Sequence, residues 1–171
     1  MTESLPVKAI VTDIEGTTTS ISFVADVLFP YAKARIQQFV VDNAAVPAVA
    51  AEINAVRAEA GEPSASVERV GEILVGWIEQ DLKITPLKTL QGMIWRSGYE
   101  DGSLKGHLYP EVATTLKGWK QQGIQLSIYS SGSEAAQKLL FGYSEAGDLT
   151  PLFDHFFDTR IGGKRESGSY E

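Results

Sequence analysis

Ala9-Ile10-Val11-Thr12-Asp13-Ile14-Glu15-Gly16-Thr17-Thr18 is the stretch whose reading decides the fold. Ile10 and Val11 ahead of Asp13, with Gly-Thr-Thr behind, read as a buried strand that breaks into a tight loop. Side chains alternate along extended backbone, so Asp13 and Glu15 leave it on the same side, close enough to share one cation. In open α/β sheets ligands gather outside the carboxyl ends of the strands, where this pair falls. Taken alone, the segment also fits a plain strand end with two solvated acids.

Downstream the period of the apolar residues changes. Val24, Leu28 and Tyr31, then Ile36, Phe39 and Val40, keep helical spacing, with Pro30 expected to kink or restart the helix. Pro47 at a first turn, the stripe Val49, Ile53 and Val56, and Gly61 as a stop mark a second helix. A third carries Val67, Val70, Leu74, Trp77 and Ile78, with Ser64 or Ser66 as N-cap. Thr85-Pro86 reads as a cap and a first-turn proline ahead of Leu87, Leu90 and Ile94. From Arg96 to Tyr109, with Gly98, Gly102 and Gly106, a loop is expected.

Beyond it the pattern is again helix and strand. Pro110 opens a helix through Trp119, Ile124 to Tyr129 reads as a strand, and Ser133 caps a helix from Glu134 to Phe141. His155-Phe156-Phe157 is a short strand, and Gly162-Gly163-Lys164 opens the last segment. The fold class expected is α/β: a parallel-sheet core at 1–20 and 108–171, interrupted at 21–107 by an all-helical cap.

The 171 residues, 43% hydrophobic and 22% charged, describe an ordinary globular chain. A formal charge of −7 argues against a nucleic-acid surface. It also means that an anionic substrate needs a local cation or oriented amides to draw it in. There is no cysteine, which excludes disulfides, thiolate nucleophiles and thiolate-bound zinc. No signal peptide and no membrane span are visible, so no membrane partner and a cytoplasmic location are expected.

Three stations fall at strand ends: Asp13 with Glu15, Ser130-Ser131-Gly132-Ser133, and Lys164. Each has an ordinary reading as well, the serines as a turn and helix cap, the lysine as a solvated side chain. Together they are the parts of a phosphoryl-transfer site. A phosphate monoester repels an anionic nucleophile, so such a site needs a divalent cation, hydroxyl and amide donors, and a fixed positive charge. Paired carboxylates suit Mg²⁺, and hydroxyls ahead of a helix suit phosphate oxygens. With no cysteine and no Ser-His-Asp arrangement, a carboxylate nucleophile is the economical choice, and the Glu15 side chain is the nearest group for acid–base work.

Asp13-Ile14-Glu15-Gly16-Thr17-Thr18, Ser130-Ser131 and Lys164 resemble the first three motifs of the haloacid dehalogenase superfamily, with Glu15 where most members carry a second Asp. The phrases Ile21-Ser22-Phe23-Val24, Leu28-Phe29-Pro30-Tyr31, Leu90-Gln91-Gly92-Met93-Ile94-Trp95, Tyr129-Ser130-Ser131-Gly132-Ser133 and Gln137-Lys138-Leu139-Leu140-Phe141-Gly142 are similar to the enolase-phosphatases of methionine salvage. The resemblance implies a Mg²⁺-dependent enzyme that enolises 5-methylthio-2,3-dioxopentyl phosphate and then removes its phosphate, giving an acireductone. By position it makes Asp13 the nucleophile and a metal ligand, and Glu15 a metal ligand through its carbonyl. Ser130 and Ser131 bind substrate, and Lys164 holds both phosphate and nucleophile. The helical insert becomes a cap, with Phe23, Trp95 and Tyr99 as candidates to line an apolar pocket for the methylthio tail. Arg96 and His107 are further candidates to reach the substrate. A small phosphorylated diketone is the expected partner, with the chain acting as a monomer.

The superfamily has a fourth motif, a strand ending in an Asp that supplies another Mg²⁺ ligand. Asp154, His155 and Asp158 precede Lys164 and do not match it. A truncated form of a longer protein is therefore expected, with lowered metal affinity and with Ile10 and Val11 on an open apolar edge. Two alternatives remain open at this point: a phosphatase for another small phosphomonoester, and a non-catalytic binding fragment built on the same scaffold.

Overall fold

A computed structural model describes residues 6–170 of the chain. In chain order it runs β1 (Ala9–Thr12), α1 (Ile21–Phe23), a π-helical turn (Val24–Leu28), α2 (Phe29–Lys33), α3 (Ile36–Asp42), α4 (Pro47–Ala60), α5 (Val67–Glu79) and α6 (Thr85–Glu100). Then follow α7 (Val112–Gln121), β2 (Gln125–Tyr129), α8 (Glu134–Gly142) and β3 (His155–Phe157), with short 3₁₀ turns around β3. The chain divides into two compact units, one from its start through Phe23 together with Gly102 onward, the other Val24–Asp101.

In the first unit the strands form a parallel sheet in the order β1-β2-β3. Ala9 pairs with Gln125 and Thr12 with Ile128, then Ser127 with His155 and Tyr129 with Phe157. Parallel neighbours need a crossover, and each connection supplies one: α8 from β2 to β3, and the helical unit with α7 from β1 to β2. Central β2 is buried from Leu126 to Tyr129. Its Leu126 and Ile128 pack with Val112 and Leu116 of α7 and with Leu140 and Phe141 of α8. β1 is an outer strand. Ile10 packs against that core, but Val11 is 52% exposed, so β1 alternates rather than being buried on both faces.

Past α6 the chain is tied to the α/β unit. Gly106 donates to the Tyr143 carbonyl at 2.8 Å and accepts from Glu145 N–H at 2.9 Å. A Cβ at 106 would lie 2.1 Å from the Leu140 carbonyl oxygen, so no larger residue fits this approach.

The helical unit closes on its own core, in which Ile36 and Val40 of α3, Ile53 and Val56 of α4, Val70 and Leu74 of α5, and Leu87 and Leu90 of α6 are buried. Ser66 caps α5 by accepting from Arg69 N–H at 3.2 Å. Two local expectations are corrected. The cap position of α6 is Ile84, with no side-chain bond, and Thr85 and Pro86 are its first helical residues. Second, α6 does not stop at Arg96 but continues to Glu100, with Gly98 and Tyr99 buried. Among the described residues no helix is long and apolar enough to cross a membrane.

Candidate active site

Three loops leave the carboxyl ends of the three strands, and the candidate residues lie on them. Neighbouring strands stand about 4.8 Å apart, and the pairing of Thr12 with Ile128 and of Tyr129 with Phe157 sets the starts of these loops side by side.

The first loop turns immediately after Thr12. The Ile14 carbonyl accepts from the N–H groups of Thr17, Thr18 and Thr19 at 3.0–3.1 Å, and Gly16 N–H donates to the Thr19 carbonyl at 2.7 Å. Gly16 has φ +76°, a left-handed conformation that costs glycine nothing. Asp13 is thereby held at the loop's mouth. Its Oδ1 accepts from Ile14 N–H at 2.7 Å and from the Lys164 ammonium at 2.7 Å. Glu15 is exposed, and its side chain makes no hydrogen bond among the described residues.

Ser130 and Ser131 open the second loop. Ser130 is buried, its N–H donates to the Phe157 carbonyl at 3.1 Å, and its hydroxyl accepts from Gly132 N–H at 3.3 Å. Ser131 is exposed. Ser133 caps α8 by accepting from Ala136 N–H at 3.3 Å.

Lys164 stands on the third loop, which two tyrosines brace. Tyr129, at the end of β2, donates its hydroxyl to the Gly162 carbonyl at 2.7 Å, and the Lys164 ammonium lies 5.8 Å from its ring centroid. Tyr170 packs edge-on against Tyr129 at 5.5 Å and donates to the Lys164 carbonyl at 3.0 Å.

Asp13 and Lys164 are therefore in direct contact, and Ser130 sits at the end of the strand between them. Sequence reasoning gave Tyr129 no role of its own; its signal is a hydroxyl at the buried end of a strand, where it needs a partner. Asp158, weighed from the sequence only against the fourth motif, is a second such residue. It is buried, accepts from Glu134 N–H at 3.1 Å at the start of α8, and pairs with Arg160 Nε at 2.8 Å. Burial pushes its carboxyl pKa up. The Arg160 guanidinium and the N–H groups of Arg160 and Glu134 outweigh that and hold it below the usual carboxylate range.

His107 serves the first loop. Its Nδ1 accepts from Ser20 N–H at 3.2 Å, its carbonyl accepts from Thr19 Oγ1 at 2.8 Å, and its ring stacks on Phe23 at 6.0 Å. Trp95, Arg96 and Tyr99 belong to α6 of the helical unit, where Trp95 donates to the Leu28 carbonyl at 2.8 Å.

Among the described residues no three His, Asp or Glu side chains converge on one point. The donors at the strand ends are the half-exposed Asp13 carboxylate and Glu15, an all-oxygen pair. Such a pair suits a hard divalent cation, which takes one or two carboxylates and keeps several waters.

Residues 7–168 match the family described as haloacid dehalogenase-like hydrolase. The chain is 60% identical over 166 residues to enolase-phosphatase E1 of Pseudomonas savastanoi pv. phaseolicola, spanning 97% of this chain and 73% of that protein. It is 58% identical to enolase-phosphatase E1 of Azotobacter vinelandii over the same shares. Among solved structures, the Unknown transcript 4 protein of Saccharomyces cerevisiae superimposes with a TM-score of 0.81 at 32% identity, covering 96% of this chain and 73% of its own.

Proposed function

We propose that this chain, which belongs to the haloacid dehalogenase-like hydrolase family and within it to the enolase-phosphatases, acts with Mg²⁺ on 5-methylthio-2,3-dioxopentyl phosphate. In this reading it enolises the diketone and then hydrolyses the phosphate ester, releasing 1,2-dihydroxy-5-(methylthio)pent-1-en-3-one and phosphate. The observation that supports it most is the 2.7 Å contact between Asp13 and Lys164 at the carboxyl ends of the strands. A carboxylate aimed outward beside an ammonium is what a nucleophile for an anionic ester requires.

Asp13 through its carboxylate and Glu15 through its backbone carbonyl would hold the Mg²⁺. When bound, the ion supplies positive charge that lets one anion approach another. The Asp13 carboxylate attacks phosphorus, the bond from phosphorus to the ester oxygen breaks, and the leaving oxygen takes a proton. Lys164 neutralises the phosphoryl oxygens, and the Ser130 and Ser131 hydroxyls donate to them. Water then attacks the phosphorus, the bond to Asp13 breaks, and inorganic phosphate leaves with the carboxylate restored. Glu15, with its exposed carboxylate, is the group placed to move protons. The helical unit takes the role of cap.

The test is direct. Purified protein, Mg²⁺ and the diketone phosphate are expected to yield both acireductone and phosphate, and Asp13→Asn to yield neither phosphate nor turnover. Phosphate release without enolisation would assign another small phosphomonoester, and release that survives Asp13→Asn would end the reading.

A further inference from the structure

We infer that Gln137 is a positioning residue that clamps the Ser130–Ser133 loop. The inference rests on the reading above, in which that loop holds phosphate. Gln137 lies on the inward stripe of α8 with Leu140 and Phe141 and is 1% exposed. Its amide nitrogen donates to the Gly132 carbonyl at 2.8 Å and to the Phe157 carbonyl at 2.8 Å. A primary amide has two N–H groups, and both are used here, on two acceptors that fix which end is nitrogen.

The two acceptors define the clamp. The Phe157 carbonyl, at the end of β3, also accepts from Ser130 N–H at 3.1 Å. One carbonyl therefore receives the first residue of the loop and the side chain of the helix that follows it. The second N–H of Gln137 reaches back to Gly132, inside the loop. Ser130 and Ser131 are thus stapled between β2, β3 and α8.

The other end of the amide makes the case specific. Gln137 Oε1 is buried with no hydrogen-bond donor among the described residues. A buried oxygen of this kind is unfavourable, and Leu or Met would fill the same space without it. Packing of α8 therefore does not account for glutamine at this position, whereas the geometry of the loop does. Nor does removal of the amide strand its acceptors, since Phe157 keeps Ser130 N–H and Gly132 is partly open to water.

The experiment uses inorganic phosphate as probe, measured by calorimetry beside thermal melting and amide hydrogen exchange. Gln137→Met keeps the length of the side chain and removes both donors. It is expected to melt near the wild type, to weaken phosphate binding about tenfold, and to speed exchange at Ser131 and Gly132 while Leu126 and Ile128 stay protected. Gln137→Glu adds a readout that packing alone would not move. As a carboxylic acid it regains one donor, so its phosphate binding is expected to recover on acidification while that of Gln137→Met does not. Should the Met variant fail to fold, this pH-dependent recovery decides the matter, and its absence overturns the clamp. Unchanged phosphate affinity in folded Gln137→Met overturns it as well, and if Lys164→Met still loses phosphate, the functional reading stands without it. Wild-type protein that binds no phosphate removes both.

Discussion

Between Asp13 and Lys164 the contact is short, 2.7 Å, but the two side chains are 40% and 38% exposed. Ion pairs this open to water contribute about 0.2–1 kcal/mol, so the pair does little for the fold. Lys164→Met is expected to move the melting temperature by no more than a few degrees. On the proposed reading its effect on chemistry is expected to be larger, because its charge would face the reacting phosphoryl group. Removing one such group costs about 10²–10³ in rate. Melting and phosphate release measured on the same preparation separate the two, and a large stability loss would make Lys164 structural. Asp13, Glu15 and Lys164 were legible as candidates because a carboxylate pair after an apolar run and a lysine after Gly-Gly stand out against their neighbours. Tyr129 and Gln137 were not. Each is buried in its element, and what singles it out is an acceptor distant in sequence, Gly162 for one and Phe157 for the other.

At the scale of the element, helix ends show what local chemistry reveals and what it hides. Ser66, one of two serines the sequence offers, and Ser133 read as caps because each stands before an apolar helical stripe, and each accepts from the N–H of the third residue of its helix. Thr85 looked equally suitable and is not a cap. The helix begins one residue earlier than a Thr85 cap would allow, with Ile84 at the cap position, so Thr85 and Pro86 are already its first two helical residues. The end of α6 was hidden for a different reason. Gly98 inside a helix costs about 1 kcal/mol relative to Ala, whereas burying a large side chain gains about 1.5–3 kcal/mol, and Tyr99 next to it is 3% exposed. Burial therefore outweighs propensity. Ser66→Ala is expected to destabilise the protein by about 1 kcal/mol, read by denaturant unfolding, and no loss would mean that the bond to Arg69 contributes nothing. Asp158, which follows β3 and accepts from the first N–H of α8, carries a pH signature. Its carboxyl is held below the usual range in the folded protein, so the unfolded chain binds its proton more readily. That contribution is complete above the unfolded pKa of about 3.9 and is lost as pH falls through the folded value. Melting curves between pH 6 and 3 are expected to fall less steeply for Asp158→Asn than for wild type. Parallel curves would show that another group carries the acid response.

For the molecule as a whole, the change of apolar period after residue 20 is what made two kinds of structure visible in one chain. Where one unit ends was less legible. The sequence reading places the helical cap at 21–107, its last residues in a loop, while the compact helical unit is Val24–Asp101. Phe23 goes with the α/β unit through its stacking on His107, and Gly106 does so through its bonds to Tyr143 and Glu145, none of them local in sequence. A unit that closes on its own core, from Ala32 and Ile36 through Leu90 and Ile94, has what it needs to fold alone. Residues 24–101 expressed by themselves are therefore expected to give a helical circular dichroism spectrum and a cooperative melt. The margin is narrow, since a core in a chain of this size supplies about 3–5 kcal/mol. Leu74 is fully buried in that core, and Leu→Ala in such a place costs about 2–5 kcal/mol. Leu74→Ala is accordingly expected to leave the isolated unit largely unfolded at 25 °C while the complete chain still shows the sheet core, read through hydrogen exchange at Leu126 and Ile128. A non-cooperative melt of the isolated unit, or loss of protection at β2 in the complete Leu74→Ala chain, would show that the two cores do not stand independently.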